Sequence, residues 1–132
     1  MILVDTSIWV DHLRSGSAEL SRLLEAGTVL AHPWVIGELA LGNLSRRSEV
    51  MGLLQGLPQA VVATDHELLS FIDQEALQGT GIGYVDALLL AATRLTRDAS
   101  LWTGERRLSV VAARLGVSFE PERPTPTGRG QD

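Results

Sequence analysis

The sequence predicts an α/β fold in which short parallel strands alternate with amphipathic helices packed on both faces of the sheet. Three observations lead there. Apolar runs of three or four residues recur along the chain, too short for helices and bounded by polar or glycine positions. Between them lie longer stretches with apolar residues at helical spacing, the order expected of βαβ units. The 132 residues, 45% of them hydrophobic, match one ordinary domain with a core of its own.

Residues 2–4 form the first buried strand, and Thr6 and Ser7 offer a cap for a helix carrying Ile8, Trp9 and Leu13. Residues 18–26 are helical, with Leu20, Leu23 and Leu24 on one face and Gly27 as the stop. A second strand covers residues 29–31. Pro33 suits the first turn of a helix reaching about Leu44, because its fixed φ and missing N–H cost nothing there. A further helix over residues 48–54 is closed by Gly56 and Pro58. Residues 60–63 form a third strand, and Thr64 and Glu67 have the spacing of a capping box for a helix to about Leu77. Gly79, Gly81 and Gly83 lead into a long helix over residues 84–97. A fourth strand over residues 100–103, a helix over residues 105–115 and a fifth strand over residues 117–119 complete the fold. The domain therefore spans residues 1–119. Residues 120–132, with Pro121, Pro124, Pro126, Gly128 and Gly130, are expected to be a mobile tail.

Composition removes several chemistries. Without Cys there is no disulfide, thiolate metal site or Cys nucleophile. All 11 basic residues are Arg, so no Lys is present for a phosphate-binding loop or a Schiff base. The same lack excludes a receiver domain of a signalling relay, and Ser7 stands where a haloacid-dehalogenase phosphatase needs a second Asp. No nucleophile elbow of the Ser hydrolases occurs. No apolar stretch is long enough to span a bilayer, and the N-terminus lacks a basic leader, so a soluble cytoplasmic protein without membrane association is expected. A net charge of −5 argues against non-specific coating of nucleic acid, which relies on neutralising phosphates.

The chemistry resides in isolated acids. Asp5 is the only charged side chain in residues 1–10, Glu38 the only one in 33–45 and Asp86 the only one in 76–93. Burying such a group is costly unless it is paired or holds a cation. Glu105 directly follows the fourth strand, and Asp5 directly follows the first. Ligands of open parallel sheets bind beyond the carboxyl ends of the strands, where the strand order reverses. Should the helices of Glu38 and Asp86 cross that edge, four carboxylates meet. Two such charges ~5 Å apart repel by roughly 3 kcal/mol at an effective dielectric near 20. The cluster must take up protons or cations, and all-oxygen donors favour Mg²⁺ or Mn²⁺. Such a centre suits hydrolysis of phosphodiesters. Each acid also has an ordinary role open to it: Asp5 and Asp86 as helix caps, Glu38 as an Arg partner, Glu105 as part of a solvated first turn beside Arg106 and Arg107.

These residues lie in four ordered motifs. Val4-Asp5-Thr6-Ser7-Ile8-Trp9 resembles the opening motif of the PIN-domain ribonucleases, above all the VapC toxins of type II toxin–antitoxin pairs. Glu38 within Val35-Ile36-Gly37-Glu38-Leu39 resembles the second acid of that family. Asp86 within Gly83-Tyr84-Val85-Asp86-Ala87-Leu88 resembles the third, and Glu105 within Trp102-Thr103-Gly104-Glu105-Arg106-Arg107 the fourth. The resemblance runs from residue 1 to about 119. It implies a three-layer α/β/α domain around a parallel sheet of four to five strands. It also implies a Mg²⁺- or Mn²⁺-dependent endoribonuclease that cuts structured RNA (tRNA or rRNA) and blocks translation, a cognate VapB-type antitoxin, and a homodimer.

Carried over by position, Asp5, Glu38, Asp86 and Glu105 would be catalytic and hold the metal, while Thr6, Thr103 and Arg106 would orient a carboxylate or contact the substrate. The family most often has Asp at the position of Glu105, and the extra methylene displaces that carboxylate. Two other readings stay open at this level: a PIN nuclease outside any toxin pair, and an RNA- or protein-binding PIN module without catalysis. Arg46, Arg47, Arg94, Arg97, Arg106 and Arg107 are candidate phosphate contacts. Trp9, Trp34 and Trp102 are candidate base-stacking side chains, with core packing expected for at least two of them. His32 is expected to make a hydrogen bond within its loop.

Overall fold

The computed structural model describes residues 1–121. Three strands, β1 (Ile2–Val4), β2 (Val29–Leu30) and β3 (Ser100–Trp102), pair in parallel in the order β2-β1-β3. Seven helices accompany them among the described residues: α1 (Thr6–Ser15), α2 (Ala18–Glu25), α3 (Pro33–Ala40), α4 (Arg47–Gly56), α5 (Asp65–Gln74), α6 (Tyr84–Leu95) and α7 (Arg106–Arg114). The α/β class and the parallel sheet are as expected.

Three strands pair among the described residues, fewer than the four to five expected. At the β2 edge the third run contributes one parallel bridge, Ala31 with Gln59. Beyond it the Val61 N–H is captured by the Thr96 hydroxyl (2.8 Å), and Val61 and Val62 are 48% and 47% exposed. The ladder stops because the next residue due to donate from the β2 side is Pro33, which has no N–H and already opens α3. At the other edge Ser118 bridges Leu101, with N–H bonds from Leu101 to Val117 O and from Phe119 to Leu101 O. The last bridged residues thus fall close to Phe119. The proposed mobile tail lies, from residue 122 onward, outside the described residues.

Successive strand side chains point to opposite faces, and Leu3 and Val4, Val29 and Leu30, and Leu101 and Trp102 are all buried. Both faces of the sheet are therefore covered, as a parallel sheet requires. Trp9, Leu20, Leu54, Leu68, Leu89, Leu90 and Leu108 complete a core in which each fully buried large apolar side chain contributes about 1.5–3 kcal/mol. Helix starts follow local chemistry. Ser17 caps α2, Pro33 opens α3, and Thr64 and Glu67 form the expected capping box, each side chain bonded to the other's backbone N–H. α1 differs from expectation: Asp5, not Thr6 or Ser7, is the cap, and the helix begins at Thr6. α3 ends at Ala40, short of the expected Leu44.

Candidate active site

Strand order places the site. From β1 the chain moves outward through β2 on one side and returns to β3 on the other, so the order reverses between β1 and β3. Asp5 immediately follows β1, and its N–H bonds Trp102 O at 2.9 Å, joining the carboxyl ends of those two strands. The crevice at such a reversal is the ligand site of open parallel sheets.

Asp5 is the most tightly held acid of the four. It is only 6% exposed, and its Oδ1 accepts from the Thr6 N–H at 2.7 Å. Its Oδ2 accepts from the Thr103 hydroxyl at 2.7 Å and from the Ser7 hydroxyl at 3.4 Å. Burial pushes its carboxyl above the usual value, the bonds from Thr103 and Thr6 pull it down, and the charges of Asp86 and Glu38 push it up again. Those two acids are therefore within electrostatic reach.

Glu38, on α3, is exposed and accepts from the Thr6 hydroxyl at 2.6 Å, a bond from α1 to α3. Asp86, half-buried at the third position of α6, accepts from the Gly83 N–H at 3.0 Å and so caps its own helix. Glu105 is the N-cap residue of α7, yet its side chain makes no cap bond. It is exposed, and its carboxyl is raised first by partial desolvation and then by Asp5, Asp86 and Glu38. The four acids thus belong to one electrostatic neighbourhood. Only Asp5 is truly buried, so isolation in an apolar segment marks burial for one of the three isolated acids.

The threonines serve the carboxylates. Thr6 ties Glu38 to the start of α1. Thr103 donates to Asp5 while its oxygen accepts from the Glu105 N–H at 3.0 Å, so one hydroxyl links the ends of β1 and β3. Ser7, which was not among the expected site residues, is a third brace: it donates to Asp5 and accepts from the Gly104 N–H at 3.0 Å. The available signal was the position of Ser7, a hydroxyl two residues after the buried acid.

Among the described residues no group of three or more His, Cys, Asp or Glu side chains is arranged to hold a metal ion. Three of the carboxylates are turned onto protein donors, Asp5 onto Thr6, Ser7 and Thr103, Glu38 onto Thr6 and Asp86 onto Gly83. The donor chemistry nonetheless fits a hard divalent cation: four carboxylates whose charges act on a common centre, with no softer ligand among them.

Among the candidate phosphate contacts, Arg46, Arg94 and Arg97 pair with Glu49, Glu75 and Asp98, and Arg47 bonds Gly42 O. Arg106 and Arg107 are exposed beside Glu105 and have no ion pair among the described residues. Trp9 and Trp102 are in the core, while Trp34 is exposed. His32 is buried, and its Nδ1 accepts the Trp34 N–H at 3.0 Å, capping α3.

No family model matches the chain. It is similar to Ribonuclease VapC32 of Mycobacterium tuberculosis, in each of two strains. The identity is 44% over 122 residues, which make up 92% of this chain and 98% of the relative.

Proposed function

The chain belongs to the VapC family of PIN-domain ribonucleases, and from that premise we propose that it is a Mg²⁺- or Mn²⁺-dependent endoribonuclease toxin of a type II toxin–antitoxin pair. It hydrolyses phosphodiester bonds of structured RNA, tRNA or rRNA, and so arrests translation. Its partners are a cognate VapB-type antitoxin and a second copy of itself, and it acts in the cytoplasm. No helix among the described residues is long and apolar enough to cross a membrane.

The observation that carries this reading is the buried Asp5 carboxylate at the β1–β3 reversal, facing the charges of Glu38, Asp86 and Glu105. These four would hold the metal, which when bound supplies a water of lowered pKa and offsets charge on the reacting phosphate. Thr6, Thr103 and Ser7 keep the acids oriented, as partners of metal ligands commonly do. Arg106 lies beside Glu105 with its guanidinium unpaired among the described residues, suited to the phosphate of an incoming strand.

Purified protein should cleave RNA only with divalent cation, and Asp5→Asn and Asp86→Asn should abolish cleavage. Equal degradation by wild type and both variants, or none of any tRNA or rRNA by wild type, would overturn the reading.

A further inference from the structure

We propose that Trp34 is the platform on which a nucleobase of the substrate RNA stacks next to Glu38, an inference that rests on the ribonuclease reading above. The chain has six aromatic residues, all among those described: Trp9, Trp34, Phe71, Tyr84, Trp102 and Phe119. Only Trp34 and Tyr84 are exposed, and each stands on a helix that carries a site acid, α3 with Glu38 and α6 with Asp86. Tyr84 has a polar partner, its hydroxyl lying 3.4 Å from Asp65. Trp34 has its backbone bonded to His32 and its indole 48% exposed.

Trp34 and Glu38 are four residues apart on one helix, hence on the same face. Between them runs a groove of about 300 Å³ lined by Pro33, Trp34, Gly37, Glu38 and Leu41. A Cβ built on Gly37 meets nothing within 4 Å, so the floor beside the indole is open. This is room for a planar ring, walled by an indole and ending at a candidate catalytic carboxylate.

Charge selects the occupant. With 16 acids against 11 Arg and no Lys, the chain offers little general attraction for a phosphate backbone. Binding strength has to come from short-range contacts, and stacking is available to every base because each has a π-face. A neutral base can also lie beside the Glu38 carboxylate, where a phosphate would be repelled.

Fluorescence tests this directly, since Trp9 and Trp102 are 0% and 9% exposed and Trp34 is the indole within reach of a ligand. The full chain carrying Asp5→Asn, which prevents cleavage, is titrated with hexauridylate and with an abasic ribose-phosphate hexamer. Hexauridylate is expected to quench the emission saturably, and the abasic strand to leave it unchanged. In anisotropy titrations with labelled hexauridylate, Trp34→Leu should weaken binding roughly tenfold, while Trp34→Phe should stay within about threefold of the parent. Circular dichroism confirms that each variant is folded. Equal affinity for both strands, or for the Leu variant and its parent, overturns the proposal. So does sedimentation in which Trp34→Leu splits a dimer while its RNA affinity is unchanged. RNA cleavage by the chain with Asp5 intact is scored separately. Its absence defeats the ribonuclease reading, whereas cleavage together with unaltered binding by Trp34→Leu defeats only the stacking platform.

Discussion

Asp5 and Glu105 occupy equivalent places, each just beyond the end of a strand and each at the start of a helix, yet the protein treats them differently. Asp5 is buried, with both oxygens engaged by donors from α1 and from the end of β3. Glu105 is exposed, its carboxylate without a hydrogen bond among the described residues, and only its backbone is held, by Thr103. Both carboxyls are raised by loss of hydration and by like charges. One end of the candidate site is held by three donors, while the other is left without a side-chain bond among the described residues.

The strongest test of that contrast is Asp5→Asn. Removing the most deeply placed carboxylate should lower kcat/KM by about a thousandfold, the effect of losing several kcal/mol of charge stabilisation. The same variant should melt higher. The folded-state pKa of Asp5 is raised, so its ionised form opposes folding, and its contribution to stability is lost as pH rises through the raised value. At neutral pH the neutral amide removes that cost, and a gain of about 4 °C is expected by calorimetry. A lower melting point would show that the bonds from Thr6 and Thr103 outweigh burial.

Lengthening and shortening the two acids sharpens the comparison. Asp5→Glu, forced into a closed set of donors, should lose about a hundredfold in kcat, the scale of a 1 Å misplacement. Glu105→Asp, in an open one, should stay within about threefold by the same argument. Similar losses in both would mean that Glu105 is as closely positioned as Asp5.

Thr103 is the link between the two ends, and Thr103→Val removes its bonds to Asp5 and to the Glu105 N–H together. A loss of about 10- to 100-fold in activity or metal affinity is expected, as for other partners of metal ligands. Isothermal titration with Mn²⁺ separates the two readouts.

The smallest effect lies away from the acids. Burial lowers the pKa of His32, so its neutral form is favoured in the fold. Stability from this group is complete above its ordinary value of 6.5 and declines as pH falls below it. Wild type should therefore lose more melting temperature between pH 7.5 and 5 than His32→Asn, which retains a capping side chain.

Much of this was legible in the chain itself because the signals are local. The capping box of Thr64 and Glu67, Pro33 at the opening of α3, and Gly83 before α6 each act within one helical turn, and the structure repeats them. The order of the four acids, and the place of Asp5 and Glu105 just past strand ends, likewise needed only sequence and spacing. The sheet edges were not legible. Residues 60–63 have the composition of a strand, but the chain they would pair with turns into α3 at Pro33, which has no N–H to donate. Nor did sequence show that Ser7 reaches Gly104, 97 residues on.

By itself, then, the sequence named the candidate site residues and several helix starts, since both depend on side-chain type and neighbours within a few positions. Tertiary structure alone decided that Asp5 is sequestered while Glu105 stays open, that Trp34 faces solvent while Trp9 and Trp102 do not, and that a threonine ties the two strand ends together. Burial and long-range hydrogen bonds depend on what the folded chain brings alongside, and spacing along the sequence carries no record of that.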